Sequence, residues 1–138
     1  MMNCKSLLLF CLIAMLTLPE ALAQNEAPGI IYFYRSASIK GAAINYDVYD
    51  SSKLVGKITP GQVLIYSAKP GLHTFTARTE SKAAAIIDVK PGKLYFVQCG
   101  VSMGALVGAP YLRQVTPQTG IAAIRKINPA LTINEALV

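Results

Sequence analysis

Along this chain, hydrophobic and polar positions alternate with a period of two, and small turn clusters interrupt them every ten residues or so, the spacing expected of short strands. Residues 30–35 are dense in β-branched and aromatic side chains and apolar on both faces, as suits a strand inside a packed sandwich. Residues 43–49 alternate cleanly: Ile44, Tyr46 and Val48 share one face, while Asn45 and Asp47 take the other. Asp50-Ser51-Ser52-Lys53 reads as a turn, and residues 54–59 as a short strand that stops at Pro60-Gly61. Residues 63–68 and 72–79 follow, then the polar loop Glu80-Ser81-Lys82. Ala85, Ile87 and Val89 alternate inward as far as Pro91-Gly92, after which comes the run 94–101. Seven strands at this spacing predict a β-sandwich. The end of the chain changes character. Residues 102–110 read as a small-residue loop, apolar but without alternation, and residues 111–115 as a last strand. Thr116 and Pro117 then suit the N-cap and first position of a helix carrying Ile121, Ile124 and Ile127, which Gly120 weakens.

One phrase occurs twice, Lys69-Pro70-Gly71-Leu72-His73-Thr74-Phe75 and Lys90-Pro91-Gly92-Lys93-Leu94-Tyr95-Phe96. Proline presets φ for the first central residue of a turn, and glycine accepts the positive φ that a type II turn demands of the second. Pro70, Gly71, Pro91 and Gly92 are therefore structural turn residues, and the phrase predicts hairpin-linked strands.

Residues 1–23 carry the marks of a secretory signal: Lys5, an apolar run over 7–18, a break at Pro19-Glu20, and the small-x-small site Ala21-Leu22-Ala23. The run is short of the roughly 20 apolar residues a spanning helix needs. Neither Cys4 nor Cys11 sits in a lipobox context. Export with cleavage after Ala23 leaves one domain, residues 24–138, with no transmembrane span. It retains one of the three cysteines, Cys99, so no internal disulfide is available. The net charge of +6 survives cleavage because Lys5 and Glu20 leave together. That excess favours anionic partners, although the basic residues are scattered singly and also describe a solvated basic surface.

Candidate chemistry is sparse. His73, the one histidine, shares a face with Phe75 and Ala77 and reads as a structural residue bonded to backbone. Cys99 shares an inward face with Tyr95, Val97 and Val101, where apolar neighbours blunt a thiol. Asp47, Asp50, Glu80 and Asp88 fall at strand exits or on outer faces, as solvated turn carboxylates do. No nucleophile elbow, metalloprotease or phosphate-loop motif is present, and nothing calls for a cofactor, a metal or nucleic acid. Seven tyrosines are the one enrichment. They suit half-buried strands, and exposed ones can stack on sugars. Tyr49, Lys53 and Lys57 form a candidate ligand face. Met103, Leu106 and Val107 form a candidate interaction loop, because an apolar loop of this kind invites a partner.

In order and spacing, Ile31-Tyr32-Phe33-Tyr34-Arg35, Pro70-Gly71-Leu72-His73 and Pro91-Gly92-Lys93-Leu94-Tyr95-Phe96 resemble the secreted bacterial "domain of unknown function 2846" family. Residues 48–79 also resemble a PEGA surface module, and the likeness extends over roughly residues 28–125. It implies an all-β fold, a seven- to eight-stranded antiparallel transthyretin-like (prealbumin-like) sandwich with a short C-terminal helical segment. It carries over no catalytic residues, and the missing lipobox sets this chain apart from lipid-anchored members. The expectation is an exported, non-catalytic module with a binding or structural role in the bacterial envelope. Its partner would be an envelope protein or an anionic envelope surface. A carbohydrate or cell-wall ligand-binding module is the alternative, and a small hydrolase the third reading.

Overall fold

In the computed structural model, which describes residues 26–103 and 108–138, the alternating segments become eight strands. They are β1 (Gly29–Arg35), β2 (Tyr46–Asp50), β3 (Lys53–Ile58), β4 (Gln62–Ala68), β5 (Gly71–Arg78), β6 (Lys82–Val89), β7 (Leu94–Met103) and β8 (Gly108–Val115). The helix α1 (Pro117–Ile127) and a short 3-10 turn (Glu135–Leu137) follow. The signal expected at residues 1–23, and Leu106 and Val107 of the candidate interaction loop, lie outside the described residues.

The strands form an all-β sandwich of two four-stranded sheets: sheet one in the order β4-β1-β7-β8 and sheet two in the order β3-β2-β5-β6. Every pairing is antiparallel except β1 with β7, which run parallel. That pair corrects the wholly antiparallel expectation. The chain leaves sheet one after β1 for β2 and β3, returns as β4 antiparallel to β1, crosses again for β5 and β6, and comes back as β7, which runs beside β1 in the same direction.

The Pro-Gly phrases also have a different job from the one expected. Gly71 (φ 131°) and Gly92 (φ 66°) do adopt positive φ. Yet Lys69-Pro70 joins β4 to β5, and Pro91-Gly92 lies between β6 and β7, so both turns carry the chain from one sheet to the other. Alternation cannot separate a hairpin from a sandwich corner, since either places a turn between two period-two segments. At least two of the true hairpins use other residues, Ser51-Ser52 between β2 and β3 and residues 79–81 between β5 and β6.

Two further expectations change. Residues 102–110 are not one loop: β7 runs to Met103 and β8 begins at Gly108, with Ser102 opposite Ala109 and Met103 opposite Gly108. Gly108 is packed so closely that a Cβ there would fall 2.5 Å from Ile44. At Gly108 only a residue without a side chain fits, and such a position adds nothing to an apolar–polar alternation. Pro110 is tolerated in β8 because that strand is a sheet edge. Residues 43–45 lie outside β2, and Ile44 packs instead against Gly108.

Sheet one is covered on both faces, which explains why β1 reads as apolar throughout. Ile31 and Phe33 point between the sheets, into a core with Val48, Phe75, Ile87 and Val97. Tyr32 and Tyr34 point the other way, against Leu94, Phe96, Ile121 and Ile124. Each such large apolar side chain contributes about 1.5–3 kcal/mol when buried. The helix starts where Thr116 accepts from the Thr119 N–H and Pro117 has no N–H that needs an acceptor, and Arg125 and Lys126 favour its C-terminal end. Gly120 is buried against sheet one, where a Cβ would lie 2.5 Å from the Phe96 ring. It weakens the helix locally but lets the helix approach. Sheet two's outer face carries no such layer among the described residues, and Leu72 and Ile86 are 74% and 65% exposed there.

Gly120→Ala should therefore destabilise the fold by roughly 1–3 kcal/mol in urea denaturation, as overpacking does. In an exposed helix the same change would stabilise by about 1 kcal/mol, so an unchanged or raised midpoint would contradict the packing. Gly71→Ala, strained at its φ although no atom lies near a new Cβ, should lose on the order of 1 kcal/mol.

Candidate functional site

On the outer face of sheet two, the strand register sets four charged residues side by side. Asp47 on β2 lies opposite Lys57 on β3 and Arg78 on β5, and Arg78 lies opposite Lys82 on β6. The next rung holds Tyr49, Thr76 and Ala84. A register shift between Val48 and Tyr49 interrupts the β2–β3 ladder here, and such bulges re-aim side chains. A hollow of about 610 Å³ results, with Asp47, Tyr49, Ser51, Lys57, Thr76 and Arg78 among its walls. That is within the size range of ligand pockets. The ion pairs among the described residues are His73–Asp50, Lys90–Asp88 and Arg125–Glu135, so Lys57, Arg78 and Asp47 take part in none of them. Asp47 is the single carboxylate in the wall, and the paired carboxylates of glycoside hydrolysis are not assembled there.

The expected ligand face is thus split. Tyr49 and Lys57 meet in the hollow, but Lys53 does not join them; its ammonium lies over the Tyr66 ring, 5.6 Å from the centroid. Arg78 and Thr76, not singled out in the sequence, complete the site. Their signal is the cross-strand register, which a single strand read alone does not show.

The second cluster corrects the reading of Asp50. Rather than meeting solvent, its side chain is 11% exposed and turns between the sheets. One oxygen, Oδ2, accepts from the Tyr66 hydroxyl of sheet one (2.9 Å) and bonds His73 Nδ1 of sheet two (2.7 Å). His73 Nε2 donates to the Lys69 carbonyl (2.7 Å), and the ring stacks on Phe75. The backbone bond expected of His73 is present, with a carboxylate added. Both ring nitrogens of His73 are thus engaged. Neither nitrogen is left for Cys99, whose buried thiol lies within bonding range of the Val97 carbonyl at 3.8 Å. Burial pushes that thiol up to about 12, which removes thiolate at neutral pH. Burial, and then the Asp50 carboxylate, pushes the Tyr66 phenol up to about 12, while burial raises Tyr46 further.

Of the candidate interaction loop, Met103 ends β7 and is 55% exposed. Among the described residues no helix is long and apolar enough to cross a membrane, and no group of three His, Cys, Asp or Glu is placed to hold a metal ion.

No family model matches the chain, and no solved structure matches it. The chain is 32% identical over 103 residues to an uncharacterized protein of Haemophilus influenzae (strain ATCC 51907 / DSM 11121 / KW20 / Rd). The match takes in 74% of this chain and 61% of that protein, so the chain spans under two thirds of its relative's length.

Two outcomes check the buried groups. Tyr66 is neutral in the fold up to a higher pH than when unfolded, so its contribution is complete below about pH 10 and is lost as pH rises through about 12. Asp50→Asn should lower the pH at which Tyr66 ionises, followed by ¹³C NMR of the phenol carbons, and leave Tyr46 unmoved; an unmoved Tyr66 would contradict the contact. Cys99 should resist a thiol reagent in the native protein and react once urea unfolds it. Rapid native labelling would place the thiol at the surface.

Proposed function

We propose that the protein is an exported, non-catalytic binding module of the bacterial envelope, holding an anionic carbohydrate or cell-wall polymer on the outer face of sheet two. The observation that carries this reading is the hollow beside Tyr49, in which Lys57 and Arg78 have no ion-pair partner among the described residues. A lysine and an arginine attract carboxylate or phosphate groups along a polymer, and a tyrosine supplies an apolar surface for a sugar ring. Helix α1 covers the outer face of sheet one, which leaves sheet two as the open side. The leader-like residues 1–23, the net charge of +6 and the resemblance to secreted surface modules support export and an anionic envelope partner. Docking of an envelope protein at the β7–β8 end, favoured by the exposure of Met103, is a second reading.

Co-sedimentation with purified anionic cell-wall polymer tests the first reading. The double variant Lys57→Ala/Arg78→Ala should bind at least several-fold more weakly with an unchanged melting temperature, and wild-type binding should fall as salt rises. Equal sedimentation of the two proteins would refute the site, and loss of envelope association on Met103→Ser alone would favour the second reading.

A further inference from the structure

The ladder between β1 and β7 ends at Tyr34 opposite Gln98, although β7 continues to Met103. Beyond Arg35 the chain swings away from β7, and a cavity of about 100 Å³ opens where the two part. Arg35, Ser36, Ser38, Lys40, Gln98 and Tyr111 supply its polar side chains. Two are cations, the rest are neutral groups able to donate, and none is a carboxylate. This cavity shares no residue with the hollow on sheet two.

Arg35 is the unusual member. It is 4% exposed, and among the described residues no carboxylate pairs with it. Its guanidinium donates to the Ile44 carbonyl (2.7 Å) and the Gly41 carbonyl (2.8 Å) and lies 5.4 Å from the centroid of the Tyr46 ring. Two carbonyls and an aromatic face solvate this charge but do not neutralise it. A buried charge without a counter-charge is costly, and in a poorly screened site its field stays strong. The same two carbonyls hold residues 41–44 in place, and Lys40, exposed just before them, brings a second cation to the cavity.

We infer that the gap between β1 and β7 binds a small oxyanion, phosphate- or sulfate-sized, with Arg35 providing the buried charge and Lys40, Ser38 and Gln98 the reachable donors. An oxyanion accepts from all of these groups, and charge-assisted bonds to it are the strong kind. Free phosphate and a lipid phosphate headgroup offer the same chemistry here.

The test titrates inorganic phosphate into the protein at constant ionic strength while backbone amides are followed by NMR. Saturable shifts confined to residues 36–40 and 98–101, with a rise in melting temperature, are expected. Lys40→Ala/Ser38→Ala alters only exposed residues and should keep the fold, yet weaken the apparent affinity several-fold. Lys57→Ala/Arg78→Ala should leave it unchanged. In a parallel arm, vesicles of phosphatidylglycerol and phosphatidylcholine replace free phosphate; binding there alone, lost on Lys40→Ala/Ser38→Ala, identifies the headgroup as the source. If neither probe shifts these amides, or if the shifts persist in Lys40→Ala/Ser38→Ala, the inference fails and Arg35 only pins the loop.

Discussion

One carboxylate oxygen, Asp50 Oδ2, holds the two sheets of this sandwich together at the corner where β4 gives way to β5. It takes the Tyr66 hydroxyl from one sheet and His73 from the other, and His73 reaches back to the carbonyl of Lys69 in the corner itself. Packing between sheets is non-directional and tolerates sliding, whereas this bond set fixes a distance and an angle. Hydrogen bonds to a charged group contribute about 1.5–3 kcal/mol each, and a donor left unpaired in a half-buried site loses a comparable amount. Lys53 over the Tyr66 ring adds a cation on the outside of the same joint.

The functional proposals depend on what this joint and the helix leave open. With α1 packed on sheet one, the exposed broad face belongs to sheet two, whose central strands β2 and β5 carry the joint at one end and the charged rung at the other. Asp50 and His73 point inward from the same strands that present Asp47, Tyr49, Thr76 and Arg78 outward. A fixed inner face therefore gives a pre-organised outer one, which reduces the ordering needed when a ligand binds. The cavity beside Arg35 has a different origin, the parting of two parallel neighbours, and its charge is set by burial instead of exposure.

Much of the architecture could be read from local chemistry, because strands, turns and the helix start are each written in a few adjacent residues. Thr116 and Pro117 begin the helix as expected, and Gly71 and Gly92 take the positive φ their turns require. What escaped is what depends on partners far along the chain. The Pro-Gly corners look the same whether they return within a sheet or cross to the next. Asp50 reads as a turn residue until Tyr66 and His73 are brought to it from 16 and 23 positions away. Gly120 reads as a weak helix residue until Phe96 lies beneath it. The proposed ligand face is half legible: Tyr49 and Lys57 stand out by residue type, while Arg78 enters only through its register with Asp47.

A double-mutant cycle of Tyr66→Phe and His73→Gln, measured by urea denaturation, tests the shared carboxylate most directly. If both side chains bond one oxygen, their effects on stability should depart from additivity by at least about 0.5 kcal/mol. Effects that simply add would show that Tyr66 and His73 act independently, and that Asp50 does not join the sheets.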